Sequence, residues 1–448
     1  MKVRYLAKAV CATVAMLVAT SANADDLLQI YDRALANDPQ IREAEANRLA
    51  QRQSRPLAIA GLMPGVSAQA GRQRNWGGQT VNGVPLPGST DSYTTRDSWS
   101  ITISQPLFTW ENWVALRTAN SQVAQAEANY QAAVQELAQR VARLYFAVLN
   151  ARDNLEAVEA ARNAIQRQLE QAEQRFEVGL IAITDVQNAR AERDNANAQV
   201  IGARRQLASA EEQLRAVIGT RPPQLNEPAD DMPLVSPDPQ SEDAWVNAAM
   251  EQNLSLISTR LAADIARAGV TSSYGAFMPR VGLTLNKNHS EGKENDSVTD
   301  GKSVSLGFQM NLNGAGYGDF SRTKQSQYQW IAAKERLERV SRDTERTTRD
   351  AYQGVLSEMA RVEALRQAVE SSRTSLEATE AGYEVGTRTA VDVLDARRFL
   401  IQAETNYSAA KYAYLNNLIQ LRLAAGDLDR NVLEDINRFL TVPTTPIP

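Results

Sequence analysis

Gly382–Arg397 reads Gly-Tyr-Glu-Val-Gly-Thr-Arg-Thr-Ala-Val-Asp-Val-Leu-Asp-Ala-Arg. It lies between two long helical patterns and sets Asp392 and Asp395 three residues apart. It also has a twin. Phe176–Arg190 reads Phe-Glu-Val-Gly-Leu-Ile-Ala-Ile-Thr-Asp-Val-Gln-Asn-Ala-Arg, so Glu384-Val385-Gly386 matches Glu177-Val178-Gly179 and Asp392-Val393 matches Asp185-Val186. Each copy reads as a turn between two helices. A repeat of this size has to be settled before any fold is assigned.

Outward from the first turn, no proline stands between Pro106 and Pro222, so the strongest helix breaker is missing from a long span. Within it Val134, Leu137, Val141, Leu144, Val148, Ala151, Leu155 and Val158 follow alternating steps of three and four. The mean step, about 3.5, is that of a left-handed supercoil. A helix from about Glu111 to Phe176 would be ~100 Å long. Thr184-Asp185 opens a shorter helix that runs to about Ile218, where Gly219 stops it. The second half predicts the same pair: a long helix over Phe320–Ala381 and a short one over Asp392–Ala425, with Gly426 matching Gly219.

Each half begins with helix and then strands. Asn37-Asp38-Pro39 marks a turn and a new helix start. Val66, Ala68 and Ala70 alternate with polar residues, as do Trp99, Ile101 and Ile103. In the second half Val281, Leu283 and Leu285 form the third strand, and Val304, Leu306, Phe308, Met310 and Leu312 the fourth. Strict alternation predicts strands with one apolar and one polar face. Trp76–Asp97 and Glu291–Lys302 read as long polar hairpin loops.

The chain has 448 residues, of which 43% are hydrophobic and only 6% aromatic, a composition rich in helix. Residues 1–24 read as a signal peptide: Lys2, Arg4 and Lys8 precede the apolar Ala9–Ala19, and Ala22-Asn23-Ala24 suits cleavage. Loss of those three cations takes the net charge from −5 to −8, which argues against nucleic-acid binding. Cys11 leaves with the signal, and His289 is the single histidine. Neither a zinc site nor a Ser-His-Asp triad is expected, nor any cofactor or enzymatic activity. Past the signal no segment is apolar enough for a transmembrane helix, which leaves a soluble periplasmic protein or a membrane β-barrel. Residues 25–220 form the first structural repeat, 221–240 a linker with six prolines, 241–430 the second repeat with the Gly382–Arg397 turn, and 431–448 a C-terminal tail. Four strands cannot close a barrel, because open edges in lipid are costly and bacterial barrels start at about eight strands. A ring of two or three chains is the smallest solution.

The runs Gln174–Arg190 and Ala381–Ala396 carry a resemblance to the TolC family of outer-membrane channel-tunnel proteins, and the resemblance covers nearly all of the mature chain. It implies an α+β membrane protein: a homotrimer whose 12-stranded β-barrel, four strands per chain, crosses the outer membrane and continues into a long α-helical coiled-coil barrel in the periplasm. The implied function is the exit duct of a tripartite export system for proteins or small toxic compounds. The implied partners are outer-membrane lipid, a periplasmic adaptor (membrane fusion) protein and an inner-membrane transporter of the ABC, RND or MFS type. By matching, Asp392 and Asp395 fall on the aspartates of the pore constriction, and Tyr383 and Arg388 on the latch of the inner helix pair. Thr184 and Asp185 fall on their partners, and Gln168 and Glu380 on further members of that network. One departure is that Asn311-Leu312-Asn313-Gly314 stands where the first half has Gln105-Pro106-Leu107-Phe108; glycine is expected to make the same bend.

The gate chemistry has two readings. Asp392 and Asp395 share a helix face, so six carboxylates in a trimer would raise one another's pKa and attract cations. A helix N-terminus also favours Asp on its own account. Tyr383 and Arg388 can donate to Asp185, and each charge-assisted bond contributes roughly 1.5–3 kcal/mol. The rival reading, a soluble periplasmic coiled-coil adaptor or scaffold, accounts for the helices but not for the four amphipathic strands.

Overall fold

The structure, a computed structural model, describes residues 25–77, 80–81, 84–85, 93–229, 232–293 and 296–441. The signal-peptide assignment and Cys11 lie outside the described residues. The chain divides into two compact units. One comprises Ala44–Tyr130 and Ser255–Ser341. The other comprises the chain up to Glu43, Gln131–Leu254 and everything from Arg342 onward. No helix among the described residues is long and apolar enough to cross a membrane.

The first unit is built on an antiparallel sheet in the order β1 (Gly65–Trp76), β4 (Tyr93–Phe108), β6 (Arg280–Gly292), β7 (Ser297–Gln309). A pair of two-residue strands, β2 (Thr80–Val81) and β3 (Val84–Pro85), lies between β1 and β4. All four expected strands form and are longer than the sequence predicts, although the fourth ends at Gln309 and leaves the expected Met310 and Leu312 outside it. The ladder of β1 and β4 runs out to Trp76↔Tyr93, and that of β6 and β7 to Gly292↔Ser297, so both expected loops are partly strand. The apolar alternation stops before the strands do, because a ladder needs only paired backbone groups and no change of face. One face carries Val281, Leu283 and Leu285 beside Phe308, Leu306 and Val304. The other carries Thr284 and Asn286 beside Ser305 and Ser303. Leu306 and Phe308 are each 71% exposed in the single chain.

The two strand-to-helix junctions use different devices. In the first half the register slips between Pro106 and Phe108, and α4 (Trp110–Glu177) begins at once. In the second, Gly314, Ala315 and Gly316 all take positive φ (56°, 55°, 89°) before α8 (Tyr317–Glu384). The glycines enter that region freely, whereas Ala315 does so at a cost. Asp319, fully buried, holds the turn by accepting from the Asn313 backbone N–H at 2.8 Å and its side-chain amide at 3.1 Å. The bend expected at Asn311–Gly314 is therefore present, with Gly314 taking part as expected and Ala315, Gly316 and Asp319, which the sequence reading did not single out, completing it.

The second unit holds the deepest core. Leu137, Val141, Tyr145, Phe146 and Leu149 of α4 are fully buried or nearly so. So are Leu214 and Ile218 of α5 (Ile183–Ile218) and Leu415, Ile419 and Leu421 of α9 (Ala390–Ala425). Each such side chain contributes about 1.5–3 kcal/mol relative to exposure. Tyr145 donates its hydroxyl to the Asn226 carbonyl at 2.7 Å, and burial raises its phenol above the usual value. The proline-rich stretch is not wholly irregular. Glu227–Pro228 (β5) pairs with Leu440–Thr441 (β8), and Asp25 bridges Leu225. Arg430–Asn437 is also a helix, α10, which buries Leu433 and Ile436.

The long helices exceed their expected bounds by one to three residues. The starts of the shorter ones are corrected. Helix α5 begins at Ile183, one residue before Thr184, and α9 begins at Ala390, two before Asp392.

Candidate functional site

The twin turns share one backbone. Gly179 takes φ 77° and Gly386 φ 79°. In the first copy Leu180 N–H donates to Arg175 C=O at 2.9 Å and Gly179 N–H to Phe176 C=O at 2.9 Å. In the second, Thr387 N–H donates to Gly382 C=O at 2.8 Å and Gly386 N–H to Tyr383 C=O at 3.1 Å. Both are Schellman closures, which put a left-handed residue, here glycine, just past the last helical turn.

The turns differ in how the next helix starts. In the second copy Thr389 caps α9: its hydroxyl accepts from Asp392 N–H, while the Asp392 carboxylate accepts from Thr389 N–H at 2.8 Å and from its hydroxyl at 2.9 Å. This is a reciprocal capping box. The first copy has Ala182 at the cap with no side-chain bond, and Asp185 sits in the first turn of α5 near the positive helix end. The Thr389 backbone bond, then its hydroxyl, holds the Asp392 carboxyl below the usual range, with Arg388 adding a smaller pull. Within one chain the local effect on Asp392 is thus opposite to the increase expected from a ring of like charges. Asp395 is half-exposed and 3.6 Å from Arg398, which also reaches Glu192 of α5 at 2.8 Å.

Tyr383 is bound to a residue that the sequence reading quoted but did not assign. Arg175 Nη1 donates to its hydroxyl at 2.5 Å, and the guanidinium lies 4.7 Å from the ring centroid. Arg175 occupies the position of the first copy that aligns with Gly382 of the second. Comparing the two copies residue by residue was the signal available for it. Gly382 has its own reason to lack a side chain: a Cβ there would lie 2.7 Å from Arg388 Cγ. Around Arg175 and Tyr383 a cavity of about 730 Å³ also takes in Gln168, Glu380 and Arg397, and Glu380 is ion-paired with Arg397.

The structure therefore brings Gln168, Glu380 and Tyr383 together, with Arg175 and Arg397 added. Thr184, Asp185 and Arg388 are exposed at the turns, and Asp392 and Asp395 lie on the first two turns of α9. Beneath the first turn Leu169, Val186 and Ala189 form a small buried cluster. Among the described residues no group of His, Cys, Asp and Glu could hold a metal ion.

The family described as outer membrane efflux protein matches residues 30–220 and 245–427. The chain is 35% identical to the outer membrane protein TolC of Vibrio cholerae, over 94% of each chain. It is 31% identical to the alkaline protease secretion protein AprF of Pseudomonas aeruginosa, over 96% of this chain and 90% of that one. Among solved structures, the CmeC outer membrane channel of Campylobacter jejuni superposes with a TM-score of 0.77 at 17% identity, covering 93% of this chain and 90% of that one. At that identity the likeness speaks for the fold.

Proposed function

The chain belongs to the outer membrane efflux protein family, and on that premise we propose that three copies close their sheets into one 12-stranded barrel above a helical tunnel gated at the twin turns. The protein is an outer-membrane exit duct for efflux and secretion, with its helical part in the periplasm. The soluble adaptor alternative is not favoured.

The observation that carries the closed barrel is the sheet order. Strands β1 and β7 lie at its two edges, and toward the helix end one face of the sheet is apolar and the other polar. Open edges in hydrocarbon leave backbone groups unpaired at several kcal/mol each. Copies of the chain offer the partner strands. The apolar face then meets lipid, and the face with Ser67, Gln69, Ser100, Thr102 and Asn286 lines the pore.

In this reading the turns at Gly179 and Gly386 sit at the inner mouth. Asp392 and Asp395 ring the constriction, and the Arg175–Tyr383 pair holds α4 to α8 beside it. Thr184, Asp185 and Arg388 act between neighbouring helix pairs, and Gln168 and Glu380 extend the same network. A periplasmic adaptor and an inner-membrane transporter of the ABC, RND or MFS type deliver the cargo and release the latch. The test is the native mass of the detergent-extracted outer-membrane protein. Three chains per particle is expected; two or four would overturn the 12-strand closure.

A further inference from the structure

The lipid-facing side of the sheet is not uniform. Along the ladder from the helix end, Val281, Leu283 and Leu285 stand beside Phe308, Leu306 and Val304. The next row in the same face pairs Lys287 directly with Lys302. Beyond it come Trp99↔His289 with Asp300, and then Arg72↔Asp97 with Glu291.

Of the carboxylates above the lysines, Asp97 and Asp300 are already matched. Asp97 accepts a two-pronged bond from Arg72 at 2.6 and 2.8 Å, and Lys293 approaches it at 3.4 Å. Asp300 is bonded to His289 at 2.9 Å. Glu291, two rows above Lys287, is exposed on the same face. Lys287 and Lys302 are both exposed. Lys287 lies 5.4 Å from the Trp99 ring centroid, and neither lysine has a carboxylate within ion-pair distance among the described residues. Like charges directly opposite in an antiparallel pair are destabilising, so an unfilled pair at this site costs stability that the Lys287–Trp99 cation–π contact offsets only for one of the two ammonium groups. An anion between the two ammonium groups reverses the sign of that interaction.

The position selects the anion. The strands join the helices at Gly65, Phe108, Arg280 and Gln309, so the Lys287–Lys302 row lies toward the end far from the periplasmic helices. On β6 and β7 it also marks the line where the apolar run ends. Lysine stems lie along apolar surface and deliver the ammonium to the headgroup level, and aromatic rings such as Trp99 collect at the same boundary. A phosphate carried on acyl chains meets both halves of this surface, whereas a free phosphate meets only the charge.

We propose that Lys287 and Lys302 together bind the phosphate group of an anionic lipid headgroup in the outer leaflet of the outer membrane. The inference rests on the barrel reading, with this face turned to lipid. Each basic residue at a membrane surface adds roughly equally to the attraction for anionic lipid, so loss of both weakens binding about thirtyfold.

The test uses the detergent-extracted assembly and its Lys287→Gln/Lys302→Gln variant, titrated with diphosphorylated lipid A, dephosphorylated lipid A and inorganic phosphate, with bound mass read by native mass spectrometry. The wild type should retain the phosphorylated lipid about thirtyfold better than the variant, and a Lys287→Arg/Lys302→Arg variant should retain it as the wild type does. Equal retention by wild type and Gln variant overturns the proposal, as does retention that ignores the phosphates. Inorganic phosphate binding as tightly as the lipid overturns the assignment to a headgroup. Failure to recover any oligomer from outer membranes would instead strike the barrel reading on which the proposal stands.

Discussion

Replacing Tyr383 with Phe removes one oxygen and leaves the ring in place. In the structure that oxygen receives Arg175 Nη1 at 2.5 Å, and the guanidinium stays over the ring at 4.7 Å. A hydrogen bond from a charged donor contributes about 1.5–3 kcal/mol, and the part-buried setting favours the lower end. The cation–π contact, roughly 0.5–1 kcal/mol, survives the change. Each subunit therefore loses about 1.5 kcal/mol of bias toward the closed pair, or about tenfold in its closed-to-open ratio. If three subunits open together the shift reaches roughly a thousandfold. Planar-bilayer recordings of the purified protein should show a larger single-channel conductance or open fraction for Tyr383→Phe. Arg175→Ala, which removes the bond and the ring contact together, should show at least as much. Adding Arg388→Ser should raise the conductance of Tyr383→Phe further. Intact Tyr383→Phe assemblies that conduct like the wild type would refute the latch.

Other expectations follow from the same turns. Asp392→Ala with Asp395→Ala should weaken block by multivalent cations in the same recordings, and undiminished block would refute the carboxylate ring. The Asp392 carboxyl is held below its unfolded value, so its cap stabilises α9 above the ordinary carboxylate range, near pH 4, and is lost as pH falls through the folded value. Amide protection factors at the start of α9, taken relative to intrinsic exchange at each pH, should fall on acidification below that range, and Thr389→Val should show low protection already at neutral pH. Gly426→Ala should cost well over the ~1–2 kcal/mol of a left-handed Ala, because its Cβ would lie 2.5 Å from the Gln252 carbonyl oxygen. Gly179→Ala, with φ 77° and open space, should cost only that strain, and thermal unfolding of the two variants compares them directly.

Much of this architecture is written in periodicities. The apolar steps of two in Val304–Leu312 and of three and four in Val134–Val158 each force one face toward a nonpolar surface, so strands and rods are legible. What periodicity does not encode was missed or misplaced. The strands outrun their apolar alternation because the backbone ladder continues where the environment changes. The Thr389–Asp392 box shifted the helix start, although Thr followed three residues later by an acid was a visible signal. Arg175 came to light only when the two copies were compared and the helices brought together. Asp319 gave no sign of being buried, since its partner Asn313 lies in an irregular turn. The pairing of Glu227 with Thr441 joins two-residue strands far apart in sequence, too short for any pattern.

At the opposite end of α9 from the gate, Gly426 presses against backbone of Gln252 and Asn253 that no rotamer change can move aside, whereas its counterpart Gly219 faces only the Asn37 side chain. Helix α9 has 36 residues, an arm of ~54 Å at 1.5 Å per residue. A rigid arm of that length, fixed at one end, carries its tip ~1 Å for every degree of tilt. A few degrees at the fulcrum would move Asp392 and Asp395 by a few ångströms. In the proposed gate, such a lever would widen the mouth with scarcely any rearrangement of the core at its pivot.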